Sequence, residues 1–89
     1  MKQVAINKKR RGKFLIPVEF FESFPNEMRM ISSEIIVVRC EYLFAENSFI
    51  YHAYSEHFDE VEDGEVIPQY GFRFSENGIV SMVVFRMDK

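Results

Sequence analysis

The sequence has few of the residues that build disulfides, metal centres and phosphate-binding loops. It contains a single cysteine, Cys40, which excludes a disulfide within one chain and a zinc site made of cysteines. Its four glycines are scattered along the chain and form no phosphate-binding loop. No apolar run approaches the roughly 18 residues that a membrane span requires. These features predict a protein without cofactor or metal that resides in the reducing cytoplasm and not in a membrane.

Histidine is almost as scarce, and the two histidines do not form a catalytic or metal-binding motif. On one strand, His52 and His57 would face opposite sides, and the sequence has no third histidine and no HExxH spacing. Cys40 alternates with Val38 and Tyr42 on an apolar face, which predicts a buried small side chain and not a nucleophile. The sequence therefore predicts a protein that is not an enzyme.

Aromatic residues are plentiful, apart from tryptophan, which is absent. The 89 residues include 10 Phe and 4 Tyr, a mixture that suits β-sheets with aromatic cores. A chain of this length predicts one small domain, residues 1–89, with a single core.

The second half of the sequence alternates between apolar and polar residues in the manner of strands. Strands are predicted at about 35–44, 49–55, 69–74 and 79–87. Ala45-Glu46-Asn47 and Ser75-Glu76-Asn77-Gly78 predict the turns of two hairpins. We therefore expect an antiparallel meander of four strands in a single sheet. Because residues 35–44 are apolar on both faces, that strand is expected to be central.

The first half permits more than one interpretation. Alternation up to Ile16 predicts a strand, and Pro17 suits the start of one short helix near 17–24. Residues 25–28 fit either a further helical turn or a loop. Residues 1–6 fit a strand that pairs with residues 13–16, so the N-terminal part is either a strand or a hairpin. The predicted fold class is α+β, predominantly antiparallel β.

Charge is distributed very unevenly around a formal net charge of −3. Residues 1–45 carry +3, whereas residues 46–89 carry −6. A basic turn or arm at 7–13 contains Lys8, Lys9, Arg10, Arg11 and Lys13, and an acidic loop at 56–66 contains Glu56, Asp59, Glu60, Glu62, Asp63 and Glu65. These eleven side chains are the candidate binding residues. The sequence leaves open whether the two runs contact a partner or each other.

The absence of a catalytic motif and the opposed charge runs predict a small binding protein whose partner is another protein. It would act as an inhibitor or modulator of a host macromolecule, in the manner of small accessory proteins of viruses. The alternative is a nucleic-acid accessory protein that binds phosphates through residues 8–13. Because the segment from Ile79 to Phe85 is apolar on both faces, the sequence also predicts a homodimer.

Overall fold

The computed structural model describes residues 7–76 and 80–87. The order of its elements is β1 (Arg11–Pro17), α1 (Val18–Ser23), α2 (Pro25–Ser33), β2 (Ile36–Leu43), β3 (Ser48–Tyr54), β4 (Tyr70–Glu76) and β5 (Val80–Arg86). All strand pairs within its sheets are antiparallel. The predicted α+β class with predominantly antiparallel strands is confirmed.

The prediction of a single four-stranded meander is wrong, because the strands form two sheets. Among the described residues, one sheet has the order β1-β3-β2, and the other pairs β4 with β5. β3 lies in the centre, and both of its edges are occupied by β1 and β2. Since no edge of β3 is left for β4, the second hairpin packs beside β1, where the Lys13 amide donates to the Pro68 carbonyl at 3.0 Å.

The expectation that residues 35–44 form a central strand is also wrong. β2 is an edge strand, and its alternation is interrupted by a β-bulge between Val37 and Arg39. The bulge reverses the phase of the pattern, so that Ile36 shares a face with Arg39 and Glu41, while Val37 shares the other face with Cys40 and Tyr42. Strict alternation along the sequence would instead place Ile36 on the same face as Cys40 and Tyr42, and the bulge is what prevents this.

Two short helices, and not the single one predicted, follow β1. Pro17 has extended backbone geometry and occupies the N-cap position of α1. Pro25 is the first residue of α2, a position whose amide group has no partner within the helix, so the missing amide hydrogen of proline costs nothing there. The helical interpretation of residues 25–28 is therefore confirmed. Within the described residues, neither helix has the length and apolar character needed to cross a membrane.

Three sequence predictions fall outside the described residues. They are the pairing of residues 1–6 with residues 13–16, the Asn77-Gly78 part of the turn predicted at Ser75-Glu76-Asn77-Gly78, and the position of Ile79. The other part of that turn prediction is wrong, because Ser75 and Glu76 are the last residues of β4.

The core lies between the three-stranded sheet, the helices and the second hairpin. Phe14 is fully buried and stacks on Tyr51 of β3, with ring centroids 5.2 Å apart, and it meets the edge of Phe72 of β4 at 4.9 Å. β4 thus turns its aromatic side chains toward the core. The buried members of the core are Phe14, Ile16, Ile31, Ala53, Phe58 and Tyr70.

Gly12 allows the two sheets to approach each other closely. A Cβ atom at this position would lie 2.6 Å from the ring of Tyr70 and 3.0 Å from the ring of Phe58. Those two rings stack on each other at 4.3 Å, and the Tyr70 hydroxyl accepts a hydrogen bond from the Asp59 amide at 2.7 Å. The stack has little room to move, so any larger side chain at position 12 must displace it.

We expect Gly12→Ala to lower the free energy of unfolding by about 1 to 3 kcal/mol, because the added methyl group overpacks the Tyr70 ring. Urea denaturation measures this change. In the double variant Gly12→Ala/Tyr70→Leu, the smaller side chain makes room for the methyl group, so the combined cost should be less than the sum of the single costs. Strictly additive costs would contradict the proposed contact.

Candidate functional site

The basic turn and the acidic loop lie against each other, although they are far apart in the sequence. The Val61 amide donates to the Lys9 carbonyl at 2.7 Å, and the Ser55 amide donates to the Arg10 carbonyl at 3.1 Å. Arg10 and Glu60 form an isolated antiparallel bridge. We call residues 7–13 and 56–65 together the charged lobe. Its backbone pairing makes side chains of opposite charge neighbours.

Side-chain contacts follow this backbone pairing. Three hydrogen bonds join side chains within the lobe: Asn7 Nδ2 donates to Glu60 Oε1 at 3.0 Å, Lys9 Nζ donates to Glu62 Oε1 at 3.4 Å, and Arg11 Nη2 donates to Asp63 Oδ1 at 3.0 Å. Arg86 of β5, which is not part of the lobe, also donates to Asp59 of the lobe at 3.1 Å. The structure thus brings the two predicted sets of site residues together, and each neutralises part of the other.

The lobe is held together less by its ion pairs than by its backbone and its buried residues. The Lys9 and Glu62 side chains are both well exposed, and such pairs contribute at most about 1 kcal/mol. By contrast, Phe58 and Val61 are buried beneath the loop, and the Arg10 guanidinium donates to the Phe58 carbonyl at 2.9 Å. The acidic loop is therefore a packed segment with its carboxylates on the outside.

Few of the eleven candidate residues are left without a contact. Lys8 and Lys13 are the two bases whose side chains make no ion pair or hydrogen bond to any other described residue. Among the acids, Glu65 accepts a hydrogen bond from the Glu62 amide at 2.8 Å, and Glu56 is exposed. The lobe therefore presents charges of both signs side by side instead of a uniform basic face.

A second candidate surface lies along β2. Ile36, Val37, Val38 and Tyr42 are each between 45% and 55% exposed, and Phe44, just after the strand, is 88% exposed. We call the exposed side chains of residues 36–44 the β2 surface. Apolar residues on both faces of this segment suggested a central strand, whereas in the structure much of that apolar area faces solvent.

A chain of aromatic contacts connects the β2 surface to the core. From buried Phe14 it passes to Tyr51, from there to Phe49 at 6.5 Å, on to Tyr42 at 5.3 Å, and ends at Phe44 at 6.5 Å. The core therefore extends sideways across the sheet and ends uncovered at β2. The Tyr42 hydroxyl contacts the Asn47 side-chain oxygen at 2.7 Å, which ties this surface to the turn.

The prediction that Cys40 is a buried side chain is wrong, because Cys40 is exposed. It lies on the core-facing side of the sheet, directly across from Tyr51, but at the edge strand the layer that covers this side has ended. Burial, followed by the charge and the hydrogen bond of Cys40, raises the pKa of Tyr51 to about 12. The Tyr51 phenol therefore stays neutral to a higher pH than an ordinary tyrosine does.

This raised pKa predicts a loss of stability at alkaline pH. The folded chain holds the Tyr51 proton more tightly than the unfolded chain does. The protonated phenol therefore adds to the free energy of unfolding in full below about pH 10, and this contribution disappears as the pH rises through about 12. Over that range, Tyr51→Phe should lose less stability than the wild type, by on the order of 1 to 2 kcal/mol after allowance for partial exposure. Urea denaturation at a series of pH values measures the difference.

Cys40→Ser should weaken this pH dependence without abolishing it, because burial is the larger cause of the shift. Identical pH dependences in the wild type and Tyr51→Phe would contradict the assignment.

The remaining candidates offer little chemistry. His57 lies 3.1 Å from Glu34 on an exposed part of the surface. A shallow cavity of about 460 Å³ beside α2 is lined by Phe21, Pro25, Met28, Arg29, Ser32 and Ser33. The hydroxyl groups of Ser32 and Ser33 both donate to carbonyls of their own helix. Over residues 7–76 and 80–87, no three His, Cys, Asp or Glu side chains are grouped so that they could hold a metal ion.

Comparisons of the chain with protein-family models, with curated proteins and with solved structures find no match. The charged lobe and the β2 surface are therefore interpreted from their own geometry.

Proposed function

We propose that this chain is a small non-enzymatic binding protein that acts by contacting another protein, as an inhibitor or modulator of that protein. The observation that carries the proposal is the β2 surface, where the aromatic core continues out to solvent. Protein interfaces are enriched in large aromatic anchors surrounded by polar residues. Tyr42 and Phe44 supply the anchors, and Arg39 and Glu41 supply charges beside them.

The apolar area available to a partner is substantial for so small a domain. Complete burial of one large apolar side chain is worth about 1.5 to 3 kcal/mol relative to full exposure. For Phe44, nearly all of that free energy is still available on binding, because its side chain is almost fully exposed. For the half-exposed Ile36, Val37 and Val38, about half of it is available. A partner that covers these side chains gains several kcal/mol before any polar contact is counted.

The charged lobe adjoins one end of the same surface. Arg11 pairs with Tyr54 and Tyr54 pairs with Ile36, so the lobe and the start of β2 are about 10 Å apart, two strand spacings. Phe44 lies at the opposite end of the eight-residue strand, which is about 26 Å long. One protein interface of ordinary size can cover both regions, with the lobe orienting the partner and the β2 surface supplying most of the affinity.

The nucleic-acid alternative depends on the basic turn. Lys9, Arg10 and Arg11 are already engaged by the acidic loop or its backbone, and acidic side chains lie beside them. If Lys8 and Lys13 alone contacted phosphates, the salt dependence of the affinity would have a slope of only about −2. Such binding would be weak at physiological salt.

Affinity capture from the cells in which the chain occurs tests the proposal. We expect capture to recover a protein partner in stoichiometric amount and nuclease treatment to leave it bound. Phe44→Ser should reduce recovery by about tenfold or more, because the aromatic anchor is lost. Val83→Ser is the matched control, since Val83 is 54% exposed and lies on β5, outside both the β2 surface and the charged lobe. Recovery of nucleic acid without a protein would contradict the proposal.

The contribution of the acidic side chains can be tested separately. In one variant, glutamine or asparagine replaces each acidic residue of the loop, which keeps the shape of the side chain and removes its charge. The replaced residues are Glu56, Asp59, Glu60, Glu62, Asp63 and Glu65. If the loop imitates the phosphates of a nucleic acid to occupy a basic groove on the partner, capture should fall sharply. Unchanged capture would eliminate this mode of inhibition and leave the β2 surface as the contact.

Titration with single-stranded and duplex oligonucleotides tests the nucleic-acid alternative. Phosphate contacts are strongest at low ionic strength, so the absence of binding at about 50 mM salt would eliminate it.

A further inference from the structure

Over residues 7–76 and 80–87, the outer edge of β2 is open to pairing by another strand. In the described structure, β2 pairs with β3 along one side only. Alternate residues of an edge strand direct their amide and carbonyl groups away from the sheet, which makes the edge a template for a further strand. Protein sheets commonly protect such edges with charged side chains, proline or β-bulges. β2, with the sequence IVVRCEYL, contains no lysine or proline, and its bulge lies between Val37 and Arg39, so the register from Arg39 to Leu43 is regular.

We propose that this edge binds the β2 strand of a second copy of the chain, antiparallel and around a two-fold axis at Cys40. The two three-stranded sheets then join into one continuous sheet of six strands. This inference goes beyond the proposed function, because it assigns an occupant to the backbone edge of β2 and leaves the side-chain faces for the partner protein. It also places the dimer contact on β2, whereas the sequence had suggested residues 79–85.

Charge selects both the occupant and the register. Arg39 and Glu41 lie on the same face, with their side chains 2.7 Å apart. When Cys40 lies opposite Cys40 of the second copy, Arg39 lies opposite Glu41 of the second copy, and the two-fold axis creates this pair twice. Opposite charges across adjacent strands are favourable, and the strand is therefore complementary to itself in this register.

Neighbouring registers do not have this property. An axis at Glu41 would place the two Glu41 side chains opposite each other, and an axis at Arg39 would do the same for the two arginines. Like charges directly opposite each other destabilise a strand pair. Around Cys40, in contrast, Val38 meets Tyr42 of the second copy, so apolar side chains flank the charged pairs on both sides. The expected dissociation constant is on the order of micromolar, since a single strand pair is a small interface.

Charge reversal at these two positions tests the proposal on the purified full chain, without any partner protein. By sedimentation analysis, the wild type should have twice the chain mass of 10.6 kDa at high micromolar concentration. Arg39→Glu places two glutamates opposite each other, and Glu41→Arg does the same with arginines. Each single variant should therefore dimerise about tenfold or more weakly than the wild type.

An equimolar mixture of the two single variants is the decisive sample. In a mixed dimer, every reversed charge meets its opposite, so the mixture should form a one-to-one heterodimer although each variant alone is monomeric. Native mass spectrometry identifies it. Contacts within one chain cannot produce this rescue. The double variant Arg39→Glu/Glu41→Arg should likewise dimerise as the wild type does, and it decides the question if a single variant fails to fold.

Three results would overturn the inference. They are a monomeric wild type at high micromolar concentration, single variants that dimerise as well as the wild type, and a mixture that remains monomeric. Since these measurements need no partner protein, their failure would not affect the proposal of partner binding, which is tested by Phe44→Ser.

Discussion

The central position of β3 is the constraint on which the rest of the molecule depends. With β1 on one edge and β2 on the other, β3 cannot pair with any later strand. The second hairpin must therefore pack elsewhere, and it does so where Gly12 allows the Tyr70 ring to come close. The long connection from β3 to β4 has to pass around the end of the sheet, and this path lays the acidic loop on the basic turn. The charged lobe is thus a consequence of strand order.

Local patterns in the sequence predicted the strands well, because alternation and turn chemistry are properties of neighbouring residues. β2 and β5 fall within the predicted segments, whereas β3 begins one residue before its segment and β4 extends two residues beyond its segment. Asn47 has the positive φ of 47° that its turn requires. Which strand lies in the centre is decided by pairing between residues that are distant in the sequence. Apolar residues on both faces are compatible with a buried strand or with an uncovered one, so the alternation could not reveal that β2 is an edge.

The same limit applies to the candidate site. The sequence identified both charge runs, and its list of charged residues is the list found in the charged lobe. Their mutual contact joins residues such as Arg11 and Asp63, which are brought together only by the path from β3 to β4. The β2 bulge and the exposure of Cys40 also leave no signal in the alternation, because a bulge of one residue changes the faces without changing the composition.

The exposed apolar residues of β2 carry a cost that bears on how the protein works. A domain of this size has a total stability of only about 5 to 15 kcal/mol, and several kcal/mol of potential burial is unused between Ile36 and Phe44. Polar substitutions on an uncovered edge would improve solubility at little cost to the fold, as lysine does on other edge strands. The chain instead keeps aromatic and β-branched residues next to one arginine and one glutamate. That combination is favourable when another surface covers β2, and it is a liability when none does.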